Sequence, residues 1–326
     1  MKLKGISSEV KEAAPVFIVG APRSGTSILY RTLQQHPTFR PKTMNLAEEY
    51  VFSNCSRSWL FGAEFSLDRK CLRYMLRNRG LYERFLDSIR WIQVVQSIIN
   101  SEAFLERFIR KFLARSDLMT GLWWHLCLGH IVARSFFYYA KEARGVARLV
   151  GKNPKNYRFV REIQWTFSNA KMLYIYRHPV DVFSSYRRRL TDELDRGQTI
   201  EEVAWLNISP ADFCEEYRKS IDTILKARAS LRQSILLVRY ERFVRKPADE
   251  FRRVCSFLGE AFDSDALTIE NPDLSRWKPD PHLFGQIVSK TKRWEQYISC
   301  ESARFVEAHL EATMRALDYN SYTDCW

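Results

Sequence analysis

Residues 15–28 read PVFIVGAPRSGTSI, an apolar run that breaks into GAPRSGTS. The spacing from Gly20 to Gly25 is that of the phosphate-cradling loop GxxxxGK[ST], in which lysine follows the second glycine. Here Thr26 stands in that place. Val16–Val19 is a short, β-branched strand candidate, and Ser24–Gln35 follows with Ile28, Leu29 and Leu33 at helical spacing. The order is therefore strand, tight loop, helix. A turn entering a helix presents unpaired backbone N–H groups and the positive end of the helix dipole, and these bind a phosphate without any side chain. Gly20 and Gly25 let the backbone close around an anion, Ser24, Thr26 and Ser27 add hydroxyl donors, and Arg23 adds a charge. The lysine that would reach β- and γ-phosphates is missing, so the loop reads as made for one terminal phosphate. The plainer reading is a strand-to-helix turn that contains glycine; the flanking strand, the helix and the four extra donors weigh against it.

Working outward, strands and helices alternate. Ala147–Val150 reads as a strand ending at GKNPKN, Tyr157–Phe167 as a helix, Lys171–Tyr176 (KMLYIY) as a buried strand, and a helix starts at Pro179, since proline is well tolerated in a first turn. Phe213–Leu231 reads as a helix, Ser234–Val238 as a strand, and Ala248–Leu258 as a helix closed by Gly259. This alternation predicts an α/β fold, a three-layer, P-loop-like arrangement with a mainly parallel central sheet flanked by helices. Ligands of such sheets bind beyond the carboxyl ends of the strands, where Gly20–Ser27 and Arg177 both fall. From about Leu67 to Arg144 the pattern is almost wholly helical, with Phe85, Ile89, Ile92 and then Phe104, Phe108, Phe112 at three- and four-residue spacing. One domain spanning 1–326, with a helical insertion at about 55–145, is the economical organisation.

The second stretch with chemistry is YRHPVDVFSSYRRRL, 176–190. Arg177 ends a strand and Ser185 lies eight residues on, inside the following helix. Arginine is the natural fork for a phosphate, and a serine two turns into the helix can fold back toward the same anion. Arg187–Arg189 follow, and at least two of the three read as a solvated helix face.

Together GAPRSGTS and the R-x7-S frame of Arg177 and Ser185 resemble the sulfotransferases that use 3′-phosphoadenosine 5′-phosphosulfate (PAPS). The resemblance extends to HPTFRP at 36–41, GKNP at 151–154, VRYERFVRKP at 238–247 with FLG at 257–259, and SKTKRW at 289–294. It implies that Arg23, Ser24, Gly25, Thr26 and Ser27 hold the 5′-phosphosulfate, and that Arg177 and Ser185 hold the 3′-phosphate. It also places Tyr240 near the adenosine and makes Ser289 to Trp294, Lys290 included, a closing loop. PAPS is the implied donor, 3′,5′-ADP the product, and no metal is required.

Sulfuryl transfer to a hydroxyl needs a base for the proton and positive charge at the migrating group. The cytosolic small-molecule branch uses a histidine after K-T-H. Here Lys152-Asn153-Pro154 stands in that place, and the chain is closer to the tyrosylprotein, carbohydrate and bacterial branches, whose base is a glutamate soon after the first helix. Glu48 and Glu49 are the candidates, with a solvated surface pair as the alternative; the spacing does not choose between them. Lys152 would neutralise charge on the transferring group and leaving oxygen, with Arg23 assisting. His125 and His130 do not share a helix face and suggest no metal set.

Composition bounds the partners. An excess of 51 Lys+Arg over 38 Asp+Glu gives a formal charge of +13, which favours anionic ligands. There is no recognised nucleic-acid module. Seven scattered cysteines without a CxxC pair suggest neither zinc nor a disulfide framework. The N-terminal stretch lacks an apolar signal core, so a cytoplasmic protein is expected. Leu118–Ala140 is long enough to span a bilayer but carries His125, His130 and Arg134, which favours a buried helix or one leaning on lipid. The insertion is rich in aromatics, including Trp123, Trp124 and Phe136–Tyr139. That composition points to an apolar or amphipathic hydroxyl acceptor, a lipid or lipid-linked sugar; core packing accounts for the same residues. The rival enzyme is an ATP- or GTP-dependent phosphotransferase, which predicts the missing loop lysine and a magnesium-binding carboxylate. The non-enzymatic rival is a protein that binds the nucleotide and transfers nothing.

Overall fold

The computed structural model describes residues 15–42, 52, 137, 140–141, 144–269, 285–287 and 294–323. They divide between two units, one drawn from Met1–Pro15, Pro41–Leu149 and Phe159–Ala170, the other from Val16–Arg40, Val150–Arg158 and Lys171–Trp326. Glu48, Glu49, Ser289, Lys290 and nearly all of the expected insertion, including His125, His130 and the 118–140 segment apart from 137 and 140, lie outside the described residues.

In the second unit, β1 (Val16–Val19) leads through the glycine loop into α1 (Thr26–Gln35). After β2 (Val150–Lys152) the chain runs through a short 3-10 turn, Pro154–Phe159, into α2 (Val160–Thr166), which belongs to the first unit. It returns as β3 (Lys171–Tyr176), α3 (Pro179–Leu194), α4 (Pro210–Ser230), β4 (Ile235–Arg239), α5 (Tyr240–Arg245) and α6 (Pro247–Leu258). A two-stranded antiparallel pair, β5 (Thr268–Ile269) with β6 (Gly285–Gln286), precedes α7 (Cys300–His309) and α8 (Glu311–Ala316).

The main sheet has four strands in the order β2-β1-β3-β4, all parallel. Parallel strands need crossovers and are covered on both faces, and the residues of each strand alternate accordingly. Ile18, Leu173, Ile175 and Val238 point into a core with Ile28, Leu29 and Leu33 of α1 and Phe251 and Val254 of α6. Tyr174 points the other way, its hydroxyl 2.6 Å from Ser220 Oγ on α4. The fold is thus α/β, a mainly parallel sheet between helices.

Several boundaries differ from the sequence reading. β2 begins where the expected strand at Ala147–Val150 was to end, because pairing sets Val150 opposite Val16 and Lys152 opposite Ile18. The α1 helix starts two residues late, since Gly25, with φ 103°, is its N-cap rather than its first turn. The expected helix at Tyr157–Phe167 begins as 3-10 turns and becomes α-helical only at Val160. Pro210 and Pro247 open α4 and α6 as first-turn prolines, ahead of the expected Phe213 and Ala248.

In the first unit, the end of α2 is closed by Phe167 N–H donating to the Ile163 carbonyl at 2.8 Å and by Gln164 Nε2 donating to the Ala170 carbonyl at 2.9 Å. Phe137 packs edge-on against Phe167 with ring centres 5.3 Å apart, and Phe52 lies 6.1 Å beyond. Among the described residues no helix is long and apolar enough to cross a membrane.

Candidate functional site

The site is built where β1, β2, β3 and β4 end. Gly20 leaves β1 so close to β3 that a Cβ there would sit 2.3 Å from the Ile175 carbonyl oxygen. Its N–H donates to the Pro154 carbonyl at 3.1 Å, fastening the loop to the GKNP segment. Arg23 and Gly25 both have positive φ, 71° and 103°, on either side of Ser24. Alternating backbone hands of this kind turn successive N–H groups to one side, the geometry of an anion nest. Arg23 is the costlier of the two, because a side chain in the left-handed region is strained. A Cβ on Gly25 would come within 2.5 Å of the Tyr240 ring, so the loop lies flat against the first residue of α5.

The side chains converge on this loop. Lys152, the last residue of β2 and 6% exposed, donates from Nζ to Ser27 Oγ at 3.2 Å. Arg23 donates from Nε to Ser185 Oγ on α3 at 3.3 Å, joining positions 162 residues apart. Arg177 lies over the Tyr240 ring at 4.5 Å and within 3.7 Å of Asp181 Oδ2, while Tyr217 donates its hydroxyl to the Arg177 carbonyl at 2.6 Å. Burial raises the Tyr240 phenol above its ordinary range against the pull of Arg177, so the ring carries a neutral hydroxyl. Ser24 Oγ is buried and makes no hydrogen bond. An orphaned buried hydroxyl is costly unless a ligand satisfies it.

The structure therefore brings Arg23, Ser24, Gly25, Thr26, Ser27, Lys152, Arg177, Ser185 and Tyr240 to one edge of the sheet. Of the three arginines after Ser185, Arg187 clamps the chain at Asn207 Oδ1 and the Ile208 carbonyl, Arg188 pairs with Asp192, and Arg189 pairs with Glu193. Sequence reasoning missed Asp181, Tyr217, Glu241 and Tyr322, the side chains that hold Arg177 and its neighbour. Asp181 carried a signal: an acid in the first turn of α3, four residues after Arg177.

Comparison with known proteins decides the family. The model of the sulfotransferase family matches residues 15–264. The chain belongs to the sulfotransferase family. No curated protein matches it. Among solved structures it is similar to a sulfotransferase domain from the curacin biosynthetic pathway (18% identity, 94% of this chain and 98% of that one covered, TM-score 0.49). It is also similar to the sulfotransferase STF9 of Mycobacterium avium (14%, 95% and 78%, TM-score 0.47). A third is retinol dehydratase in complex with androsterone and the inactive cofactor PAP (14%, 92% and 80%, TM-score 0.36). In this sulfotransferase the nine converging residues occupy the matched span.

Proposed function

We propose that this sulfotransferase moves a sulfuryl group from PAPS to a hydroxyl acceptor. The observation that carries the donor assignment is the meeting of two anion-binding stretches at one sheet edge, through the Arg23–Ser185 hydrogen bond. PAPS carries single phosphates at two ends of a nucleoside, and the two stretches suit one each. The residues fit the group: Ser24 Oγ is an orphaned buried hydroxyl, and Gly20 and Gly25 let the loop pack against the Ile175 carbonyl and the Tyr240 ring where a Cβ would clash. The loop N–H groups, Ser24, Thr26 and Ser27 would hold the 5′-phosphosulfate. Arg177 and Ser185 would take the 3′-phosphate, with Tyr240 beside the nucleoside.

In the transfer the acceptor oxygen forms the new O–S bond as its proton passes to a base, and the bond between sulfur and the bridging phosphate oxygen breaks. 3′,5′-ADP leaves with the bonding electrons. Lys152 neutralises the charge that gathers on the bridging oxygen, assisted by Arg23. A lysine from β2 thus supplies what the loop lacks at Thr26, which no longer reads as a defect. Glu48 or Glu49 is the base in this reading, and the acceptor is an apolar or amphipathic alcohol, a lipid or lipid-linked sugar, reached by a cytoplasmic protein at a membrane surface. These last assignments rest on the sequence alone.

The test is transfer from labelled PAPS to a panel of lipids, sugars, phenols and peptides, with Glu48→Gln and Glu49→Gln alongside. One glutamate variant should abolish transfer while 3′,5′-ADP binding survives. Full activity in both overturns the base assignment, and sulfation of short hydrophilic sugars with no gain on lipids overturns the acceptor class. Magnesium-dependent ATP binding tighter than 3′,5′-ADP binding overturns the donor.

A further inference from the structure

Arg177 and Tyr240 belong to the sheet edge beside the glycine loop, but their chain neighbours His178, Arg239 and Glu241 line a different cavity, of about 640 Å³. None of the nine residues that converge on the loop lines it. One wall is α5 and the start of α6, with Arg242, Arg245 and Lys246. The other is the return after α8, Asp318–Tyr322, beyond the span that the family model matches. The volume falls in the range of small-molecule sites.

Four cations line this cavity against three acids, and two of the acids are already engaged. Glu241 is buried; its Oε1 accepts the His178 N–H at 2.8 Å and its Oε2 accepts the Tyr319 hydroxyl at 2.8 Å. Asp249 pairs at 3.5 Å with Arg252, which is not part of the lining. Of the cations, Arg242 pairs with the buried Glu250 at 2.9 Å. Arg245 and Lys246 are exposed and form no ion pair or side-chain hydrogen bond among the described residues. Asp318 alone of the lining acids is left to oppose them.

Arg239 is the group that a solvated surface does not explain. It is the last residue of β4, and its guanidinium lies over the Tyr319 ring, 4.2 Å from the centre, with Nε 3.7 Å from Glu241 Oε2. That distance is beyond a hydrogen bond, and no other hydrogen bond reaches the guanidinium among the described residues. The ring beneath it is fixed by the bond to Glu241 and by edge-on packing against Tyr176 at 5.9 Å and His178 at 5.1 Å. A guanidinium held on a fixed ring, with its N–H donors unfilled, is a preorganised fork for phosphate.

We propose that this cavity is a second anion site, separate from the donor site, that takes a phosphate monoester. The Arg239 fork receives two phosphate oxygens, and Arg245 and Lys246 meet the remaining charge from the end of α5. A monoester carries close to two charges at neutral pH, which three cations match better than they match a carboxylate. The cavity is larger than a bare phosphate needs, so the phosphate arrives on a larger body. A soluble ester and a phospholipid headgroup share this chemistry. The site does not depend on the donor reading.

The test is a saturation-transfer NMR titration of phenyl phosphate on the full chain, with one equivalent of 3′,5′-ADP present to fill the donor site. Arg245→Gln with Lys246→Gln removes two cations that have no partner among the described residues, and should weaken phenyl phosphate by about tenfold. Arg239→Lys keeps the charge and removes the fork, and should weaken it by about three- to tenfold. Neither should change 3′,5′-ADP affinity by more than about twofold. The same proteins are sedimented with phosphatidylcholine vesicles, with and without phosphatidic acid. Binding that needs phosphatidic acid and falls in both variants assigns the site to a headgroup; variant-sensitive phenyl phosphate binding without it assigns a soluble ester. No phenyl phosphate binding to the wild type, a change below about twofold in either variant, or an equal loss of phenyl phosphate and 3′,5′-ADP overturns the proposal. A wild-type protein that does not bind 3′,5′-ADP overturns the donor reading instead, and the cavity variants are then read against phenyl phosphate alone.

Discussion

Lys152→Met isolates the charge that β2 brings to the loop. Methionine keeps the length and most of the volume of the stem, so the site stays packed, and the melting temperature should move by only a few degrees, about what a surface-level change in stability produces. The magnitude follows from burial and distance. The ammonium is 6% exposed and one hydrogen bond, 3.2 Å, from Ser27 Oγ in the first turn of α1. At an effective dielectric of about 20, a unit charge developing about 4 Å away is stabilised by about 4 kcal/mol. Part of that is present in the ground state, because a bound phosphosulfate is already an anion, so about 3 to 4 kcal/mol acts on the transition state. The expected loss in kcat is about 10²- to 10³-fold, in the range found when one donor to a developing oxyanion is removed. Ground-state binding of PAPS, in which that oxygen still bridges to sulfur, should weaken by no more than about tenfold, because the loop N–H groups and hydroxyls remain. Single-turnover transfer of labelled sulfuryl group reads the first quantity and calorimetry the second. A kcat within tenfold of wild type, or losses in kcat and PAPS affinity that run in step, would refute the catalytic role.

Three further outcomes follow from the geometry. Gly20→Ala places a methyl 2.3 Å from the Ile175 carbonyl oxygen, a backbone atom that cannot rotate away. It should cost about 3 kcal/mol by overpacking and lower the melting temperature by roughly 3–6 °C in a thermal melt. Tyr174→Phe strands the Ser220 hydroxyl, its partner at 2.6 Å in the core. Urea unfolding should show a loss of about 1–3 kcal/mol, much of it recovered in the double variant with Ser220→Ala, since removing both partners leaves nothing unsatisfied. His178 is buried, and burial lowers its pKa from the ordinary 6.5 to about 4, against Glu307, which raises it, and with Arg239 and Arg177, which lower it further. Between these values the unfolded chain holds a proton that the folded one does not. The histidine's contribution is therefore whole above pH 6.5 and lost as pH falls toward 4, by up to about 3 kcal/mol. His178→Gln should flatten urea-derived stability against pH over that window; curves parallel to wild type would refute the assignment.

The sheet was legible where a strand's own residues decide it. Val16–Val19 and Lys171–Tyr176 are continuous apolar runs and occupy the expected positions. β2 was not, because only three residues pair and their limits are set by β1 across the sheet, not by local pattern. The α7 and α8 helices went unread although Ser299 caps α7 by accepting the Ser302 N–H. The placing of the loop, Arg177 and Ser185 at one sheet edge was legible from spacing, and so was that of Lys152 once GKNP was set beside the family pattern. What held Arg177 was not, because Asp181, Tyr217, Glu241 and Tyr322 meet only through tertiary packing and each alone reads as an ordinary core or surface residue.

β1 lies in the middle of the sheet, between β2 and β3, and that position has a consequence during synthesis. A ribosome adding about 5–20 residues per second needs roughly 7 to 26 seconds after Val19 to reach Val150, the first partner β1 can pair with. Until then VFIV, completely buried in the finished protein, lacks both of its sheet neighbours. Parallel pairing over such separations closes late. The nascent chain thus carries an aggregation-prone strand through much of its translation, and yield in a cell depends on what shields that strand before β2 and β3 arrive.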